Sequence, residues 1–136
     1  MATLKTNTLT GTSTAGSIAV TGEGNSTTTN LQQGLCKAWV NFDGSGTAAI
    51  KDSFNITGIT DQGTGQYQFE ITNDMANTEF ALPACTGNDD SSNAGINRMH
   101  QTGTASAGNF HFECADENDS NADATAGYVA VHGDLA

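Results

Sequence analysis

The chain has 136 residues, an apolar fraction of 36% and a formal net charge of −11, with 15 acidic and 4 basic residues. This length predicts one domain, and the scarcity of large apolar side chains predicts a thin core that needs help from neighbouring subunits. Because so acidic a chain is repelled by phosphate backbones and anionic lipid headgroups, we expect neither nucleic acid nor a membrane surface as a partner.

The beginning of the chain is rich in Thr, Gly, Ser and Asn and carries few apolar side chains. Residues 1–34 are therefore predicted to form an extended polar N-terminal arm, and residues 35–136 to form the β domain. The opening sequence MATLKTNTLTGTS has neither the basic nor the apolar region of a secretory signal, and no apolar run reaches the roughly 18 residues that a membrane-spanning helix needs. We expect synthesis in a host cytoplasm.

From Leu35 onward, apolar and polar residues alternate, which indicates strands with one buried face. In LCKAWVNF the apolar face includes Val40 and Phe42, while the mixed opposite face carries Lys37 and the only tryptophan, Trp39. The sequence DGSG then predicts a turn, because glycine adopts the positive φ values that a reversing chain needs. TAAIKDSFNI follows as the returning strand.

Further strands are predicted in QYQFEIT, in TEFAL before Pro83, in NFHFECA and in GYVAVHG. No segment shows sustained helical spacing of apolar residues. The sequence thus predicts an all-β fold of about seven to nine short strands, an antiparallel β-sandwich or barrel-like domain with the extended arm before it. We expect these side chains to face inward: Cys36, Val40, Phe42, Tyr67, Phe69, Ile71, Phe110 and Phe112.

The histidines give no indication of catalysis, since His100, His111 and His132 lie in unrelated contexts without a hydrolase or metalloprotease motif. Cys114 follows His111 by three residues, which places the two on opposite faces of a strand and disfavours a nucleophile and base pair. We therefore expect no catalytic residues and no enzymatic activity.

The three cysteines lie outside any C-x-x-C spacing. Their number and spacing disfavour a disulfide framework and favour reduced thiols, although the sequence leaves open whether Cys85 and Cys114 pair.

An acidic loop offers the one arguable metal site. DENDSNADATAG places Asp119, Asn121 and Asp123 at alternate positions, with oxygen ligands that suit Ca²⁺. The helix-loop-helix calcium pattern then fails, because Ala124 stands where its glycine is needed and Ala130 where its glutamate would be. The sequence favours a solvated loop and no cofactor, with Ca²⁺ as the alternative.

The segment KAWVNFDGSGTAAIKDSFNITGITDQGTGQYQFEIT, Lys37 to Thr72, resembles a block found in small virion proteins and fibre proteins of tailed bacteriophages. In that block a KAWVNF strand, a G-x-G turn, an I-x-x-SFN strand, a GIT step and a D-x-GTG-x-Y turn and strand follow in this order. The opening MATLKTNTLTGTS is also similar to such proteins. The acidic loops and Cys85, which come after Thr72, are outside the resemblance.

The resemblance implies a non-enzymatic structural protein on the virion surface, and a thin core with a polar arm agrees with it. We expect a capsid decoration or cement protein whose partner is the major capsid protein. The alternative is a tail-fibre or tail-spike component that attaches to the host, and its partners would be tail proteins. A free carbohydrate-binding module is the third hypothesis, and it would need aromatic side chains clustered in a groove.

Two expectations concern assembly. We expect a homo-oligomer, a homotrimer, because decoration and fibre proteins commonly close by rotational symmetry. We also expect the arm to contact another protein chain of the particle, since main-chain hydrogen bonds to an exposed sheet edge need little apolar surface.

Overall fold

A computed structural model of the chain describes residues 3–11, 18–22, 24, 26–87, 98–100, 105–116 and 118–136, with the backbone alone for 98–100. The chain divides into two compact units, Met1–Leu35 and Cys36–Ala136.

The described residues form ten strands and one short helix. In chain order these are β1 (Ala19–Thr21), β2 (Thr28–Asn30), α1 (Leu31–Gly34), β3 (Ala38–Asp43), β4 (Ala49–Phe54), β5 (Ile56–Gly63), β6 (Gln66–Ile71), β7 (Ala84–Gly87), β8 (Arg98–His100), β9 (Asn109–Ala115) and β10 (Ala126–Val131).

The first unit contains the small antiparallel hairpin β1-β2 and the single helical turn α1. Asn30 caps the helix, because its side-chain oxygen accepts hydrogen bonds from the backbone N–H groups of Gln32 and Gln33 at 2.8 and 3.3 Å. The hairpin and the turn interrupt the extended chain that the composition predicts. None of the described residues of this unit is buried, so the described part of the unit has no core of its own.

The second unit is an antiparallel β-sandwich, which confirms the all-β prediction. Sheet I has the strand order β4-β3-β10-β7, and sheet II has the order β5-β6-β9-β8. The hairpin β3-β4 belongs to sheet I and the next hairpin, β5-β6, to sheet II. The only residue between β4 and β5 is Asn55, whose φ of 58° turns the chain from one sheet to the other.

The core lies between the sheets and centres on aromatic rings. Phe42 of sheet I packs against Tyr67, Phe69 and Phe112 of sheet II, with ring centroids 5.0, 5.0 and 5.9 Å away. Seven of the eight side chains predicted to face inward are buried. The eighth, Cys36, is half-buried, because it precedes β3 at the end of the sheet.

Two glycines allow this close packing. Gly65 has a φ of 68°, and a Cβ there would lie 2.5 Å from the carbonyl oxygen of Cys114. At Gly127, a Cβ would overlap the ring of Phe42. Both positions therefore exclude larger residues, the first through backbone conformation and both through space.

The sandwich begins and ends on neighbouring strands. Ala38 at the start of β3 pairs with Val131 at the end of β10, and the backbone N–H of Lys37 donates to the Val131 carbonyl at 2.8 Å. Beyond Val131, residues 132–136 return along residues 74–81, where Ala76 donates to Asp134 and Ala136 to Asp74.

Two local predictions were wrong. TEFAL forms no strand: Ala81 makes a single bridge with His132, and β7 begins only after Pro83. A proline lacks the N–H group that would continue the ladder. Lys37, predicted on the mixed face, is only 6% exposed. It precedes β3, so the alternation of the strand does not fix its direction.

Candidate functional site

The outer face of sheet II is polar. The register places Gln66, Gln68, Glu70, His111 and Glu113 on the outer side of its two central strands, although Glu113 is buried, with 8% of its surface exposed. The amide of Gln66 donates to the carboxylate of Glu113 at 2.8 Å. This face has the composition expected of a sheet surface in contact with water.

The outer face of sheet I is aromatic. Trp39, Phe54 and Tyr128 are 37%, 54% and 46% exposed, and they project from three adjacent strands. Trp39 lies opposite Phe54 across β3-β4, and Tyr128 lies opposite the exposed Cys85 across β10-β7. We call this surface the aromatic face; it consists of these four residues with Asn41 and Ala130 between them.

A groove of about 570 Å³ runs across β3, β10 and β7 on the aromatic face. Trp39 and Tyr128 contribute its aromatic walls, and Ala130, Pro83 and Cys85 contribute small or apolar surface. Phe54 lies outside the groove. The volume falls within the roughly 300–1,000 Å³ of small-molecule sites in proteins.

Asn41 is the main polar side chain of the groove. It lies opposite Tyr128 in the register and two residues from Trp39 on the same face of β3. Its Oδ1 atom is buried and has no hydrogen-bond partner. A buried acceptor without a partner costs free energy, so a ligand that donates a hydrogen bond there would recover it.

The acidic loop between β9 and β10 is held by protein hydrogen bonds. Asp123 accepts from the backbone N–H of Gly65 at 2.7 Å and lies 3.2 Å from the hydroxyl of Tyr67. Asp119 adopts a φ of 67° in the turn, and Asn121 forms an isolated bridge with Ala115. Of the three candidate calcium ligands, Asp123 thus fastens the loop to the sandwich.

Asp116 closes the same loop, because its Oδ1 accepts from the N–H groups of Asn118 and Ser120 at 2.8 and 2.9 Å. Across the described residues, no three His, Cys, Asp or Glu side chains are grouped so that they could hold a metal ion. Binding of Ca²⁺ by this loop stays a hypothesis.

Burial makes the neutral forms of Cys114 and Tyr67 the favoured ones. Burial, with the charge of Asp123 nearby, raises the pKa of the Cys114 thiol to about 12. Burial also raises the pKa of the Tyr67 hydroxyl well above its ordinary value. Because the thiolate is the reactive form of cysteine, Cys114 is unreactive at neutral pH. His111 faces the opposite side of β9.

The three cysteines are free, with Cys85 exposed, Cys36 half-buried and Cys114 buried. His132 takes part in a backbone bridge with Ala81, and the side chain of His100 lies outside the described structure.

The groove was not predicted from the sequence, which assigned Trp39 to the mixed face of its strand and indicated no aromatic cluster. The signal was present in two separate strands: Trp39 alternates with buried Val40, and Tyr128 alternates with buried Val129. Only the pairing of β3 with β10 brings the two rings to the same face.

Comparison of the chain with protein families, with curated proteins and with solved structures found no match. Within the part of the chain that is described, no helix has the length and apolar character needed to cross a membrane.

Proposed function

We propose that this chain is a non-enzymatic structural protein of a bacteriophage virion that decorates the capsid surface, with the major capsid protein as its partner. The segment that resembles phage virion proteins builds β3 to β6, one hairpin in each sheet. It supplies about half of the buried apolar side chains, namely Ala38, Val40, Phe42, Tyr67, Phe69 and Ile71.

The proposal rests mainly on the N-terminal unit, in which none of the described residues is buried. Among its described large apolar side chains, Ile18 and Leu31 are partly buried, whereas Leu4, Leu9, Val20 and Leu35 are 78%, 54%, 51% and 52% exposed. Ordering a chain costs roughly 1–2 kcal/mol per residue, which so little buried surface cannot offset. Contact with another protein chain would supply the missing burial.

The charge distribution supports an anchoring role for this unit. Residues 1–35 contain one basic and one acidic residue, Lys5 and Glu23, so the formal charge of −11 falls on residues 36–136. A neutral arm can approach a charged lattice without the repulsion that the acidic sandwich experiences. Assembly as a homotrimer is part of the proposal, and light scattering at micromolar concentration tests it.

Deletion of residues 1–30 tests the anchor. Particles that lack the protein are mixed with full-length or truncated chain, and occupancy is measured by quantitative mass spectrometry. We expect the truncated protein to keep its β-sheet circular dichroism and to lose most of its occupancy. The matched control is the full-length Leu4→Ser, Leu9→Ser variant, which should fall between the two, because it keeps the arm and loses two apolar contacts.

Equal occupancy of the truncated and full-length proteins would show that the sandwich is the anchor. Failure of both to bind any particle would refute the decoration proposal. Copy number separates the two virion roles, since hundreds of copies on the head indicate decoration and a few trimers at the tail indicate a fibre.

The tail-fibre alternative has an observation of its own. An open groove with two exposed aromatic rings, Trp39 and Tyr128, is suited to contact with a host surface molecule.

A further inference from the structure

We propose that the groove of the aromatic face binds a short neutral oligosaccharide, one of whose pyranose rings packs against Trp39 and Tyr128. This inference goes beyond capsid decoration and does not depend on it. Four observations on the groove lead to it: the spacing of the two rings, the unpartnered acceptor between them, the volume and the charge of the unit.

The two rings occupy diagonal positions on neighbouring strands. Trp39 lies opposite Ala130, and Tyr128 lies two residues before Ala130 on β10. Diagonal neighbours on one sheet face are about 7–8 Å apart, which lets two large side chains contact one ligand ring. Ala130 keeps the space beside Trp39 open. The negatively charged face of an aromatic ring attracts the C–H groups on the apolar side of a pyranose.

Asn41 adds the polar contact that a sugar needs. Its amide lies beside both rings, and its Oδ1 has no partner. The side chain as a whole is half-buried, and its terminal torsion has a broad minimum, so a small rotation would turn the amide toward the groove. The amide can accept from one sugar hydroxyl and donate to another.

This acceptor also decides between classes of occupant. An apolar protein surface pressed onto the aromatic face would leave Oδ1 of Asn41 buried and unpaired, as it is in the free protein, and would recover none of that cost. A polyhydroxylated ligand covers the rings and satisfies the amide together. The groove of about 570 Å³ suits a ligand of small-molecule size.

Charge restricts the ligand to neutral sugars. The unit that contains the groove carries the formal charge of −11, and Asp52 lies opposite Asn41 across β3-β4. Uronic acids and other anionic sugars are repelled by this field, whereas neutral sugars are not.

The single tryptophan of the chain makes the test direct, because Trp39 emission reports on the groove alone. The protein is titrated into the millimolar range with maltotriose, cellotriose and tri-N-acetylchitotriose, and with trigalacturonic acid as the anionic counterpart. We expect a saturable change of emission with at least one neutral trisaccharide and none with trigalacturonic acid.

Three variants locate the site. Tyr128→Ala and Asn41→Leu should each weaken binding by about tenfold, because each removes one contact and leaves Trp39 as the reporter. Phe54→Ala is the matched control: it removes an exposed aromatic side chain from the same face outside the groove, and binding should stay unchanged. Circular dichroism establishes that each variant is folded.

The proposal is overturned if none of the three neutral trisaccharides changes Trp39 emission, or if Tyr128→Ala binds as tightly as the parent. Self-association through the groove would also overturn it. In that case Trp39 emission would change with protein concentration, light scattering would show association, and Tyr128→Ala would abolish both, because a second copy of the chain fills the groove. The decoration proposal requires only the arm, so Tyr128→Ala should occupy particles as fully as the parent protein. Its occupancy therefore tests decoration independently of sugar binding.

Discussion

The two sheets of the sandwich have similar strands and a shared core, yet their outer faces differ. Sheet II carries partly exposed glutamines, a partly exposed histidine and the exposed Glu70 on its outer face, whereas sheet I presents Trp39, Phe54, Tyr128 and Cys85. Monomeric proteins seldom leave a continuous apolar surface of this kind uncovered. Among the described side chains, the outer face of sheet I is therefore the more apolar of the two, and the outer face of sheet II has the composition of a surface in contact with water.

The largest effect on stability is expected from a substitution in the core between the two sheets. Phe42→Ala deletes the ring that contacts three aromatic side chains of sheet II, and it should lower the free energy of unfolding by about 3–5 kcal/mol. Phe54→Ala makes the same chemical change on the aromatic face and should cost less than about 1 kcal/mol. Urea unfolding followed by circular dichroism measures both, and equal losses would contradict the assignment of inner and outer faces.

A smaller effect is expected on the pH dependence of stability. Two ionisable groups on the inner side of sheet II are buried in their neutral forms. The pKa of Cys114 rises from 9.0 to about 12 on folding, and that of Tyr67 rises above 10.0. Since the unfolded chain loses these protons first, stability is complete below pH 9 and falls as the pH rises toward 12. The slope is at most about 1.4 kcal/mol per pH unit for each group.

Chemical unfolding at pH 8, 9, 10 and 11 measures this fall. Cys114→Ala should begin its decline later, near pH 10, because only Tyr67 then titrates in this region of the core. Stability that stays constant up to pH 11 would contradict the burial of both groups.

The smallest effect on stability is expected when the two aromatic side chains of the groove are replaced by glutamine, the residue type found on the outer face of sheet II. Trp39→Gln with Tyr128→Gln should change the free energy of unfolding by less than about 1 kcal/mol, because both side chains are exposed. Retention on a hydrophobic column should nevertheless fall clearly. The control, Gln66→Ser with Gln68→Ser on sheet II, should leave retention unchanged, and equal changes in both variants would remove the distinction between the faces.

Much of the interior could be predicted from the sequence because period-two alternation forces it. Once Val40 and Phe42 face inward, Trp39 must face outward, and the same holds for Phe69 and Gln68. Alternation does not say which strands are neighbours. The strand prediction at TEFAL failed because alternation does not show whether a segment has a partner along its whole length. Only Ala81 pairs, and its partner is His132, far along the chain.

The candidate groove could not be predicted from alternation within single strands. It requires β3, β10 and β7 side by side, and these strands are separated by long stretches of sequence. β3 and β10 each show one exposed aromatic residue and β7 shows none, which is ordinary for a protein surface. Their convergence depends on register, and the buried acceptor of Asn41 depends on the side chains that pack around it.

The pairing of the first and last strands of the sandwich has a mechanical consequence. Because the start of β3 lies beside the end of β10, tension between the two ends would open their ladder one hydrogen bond at a time, after residues 132–136 had peeled from residues 74–81. Such unzipping needs far less force than shearing a whole ladder at once. A chain tethered through its N-terminus alone would carry no tension across this pair, so a pull on that end would leave the sandwich folded.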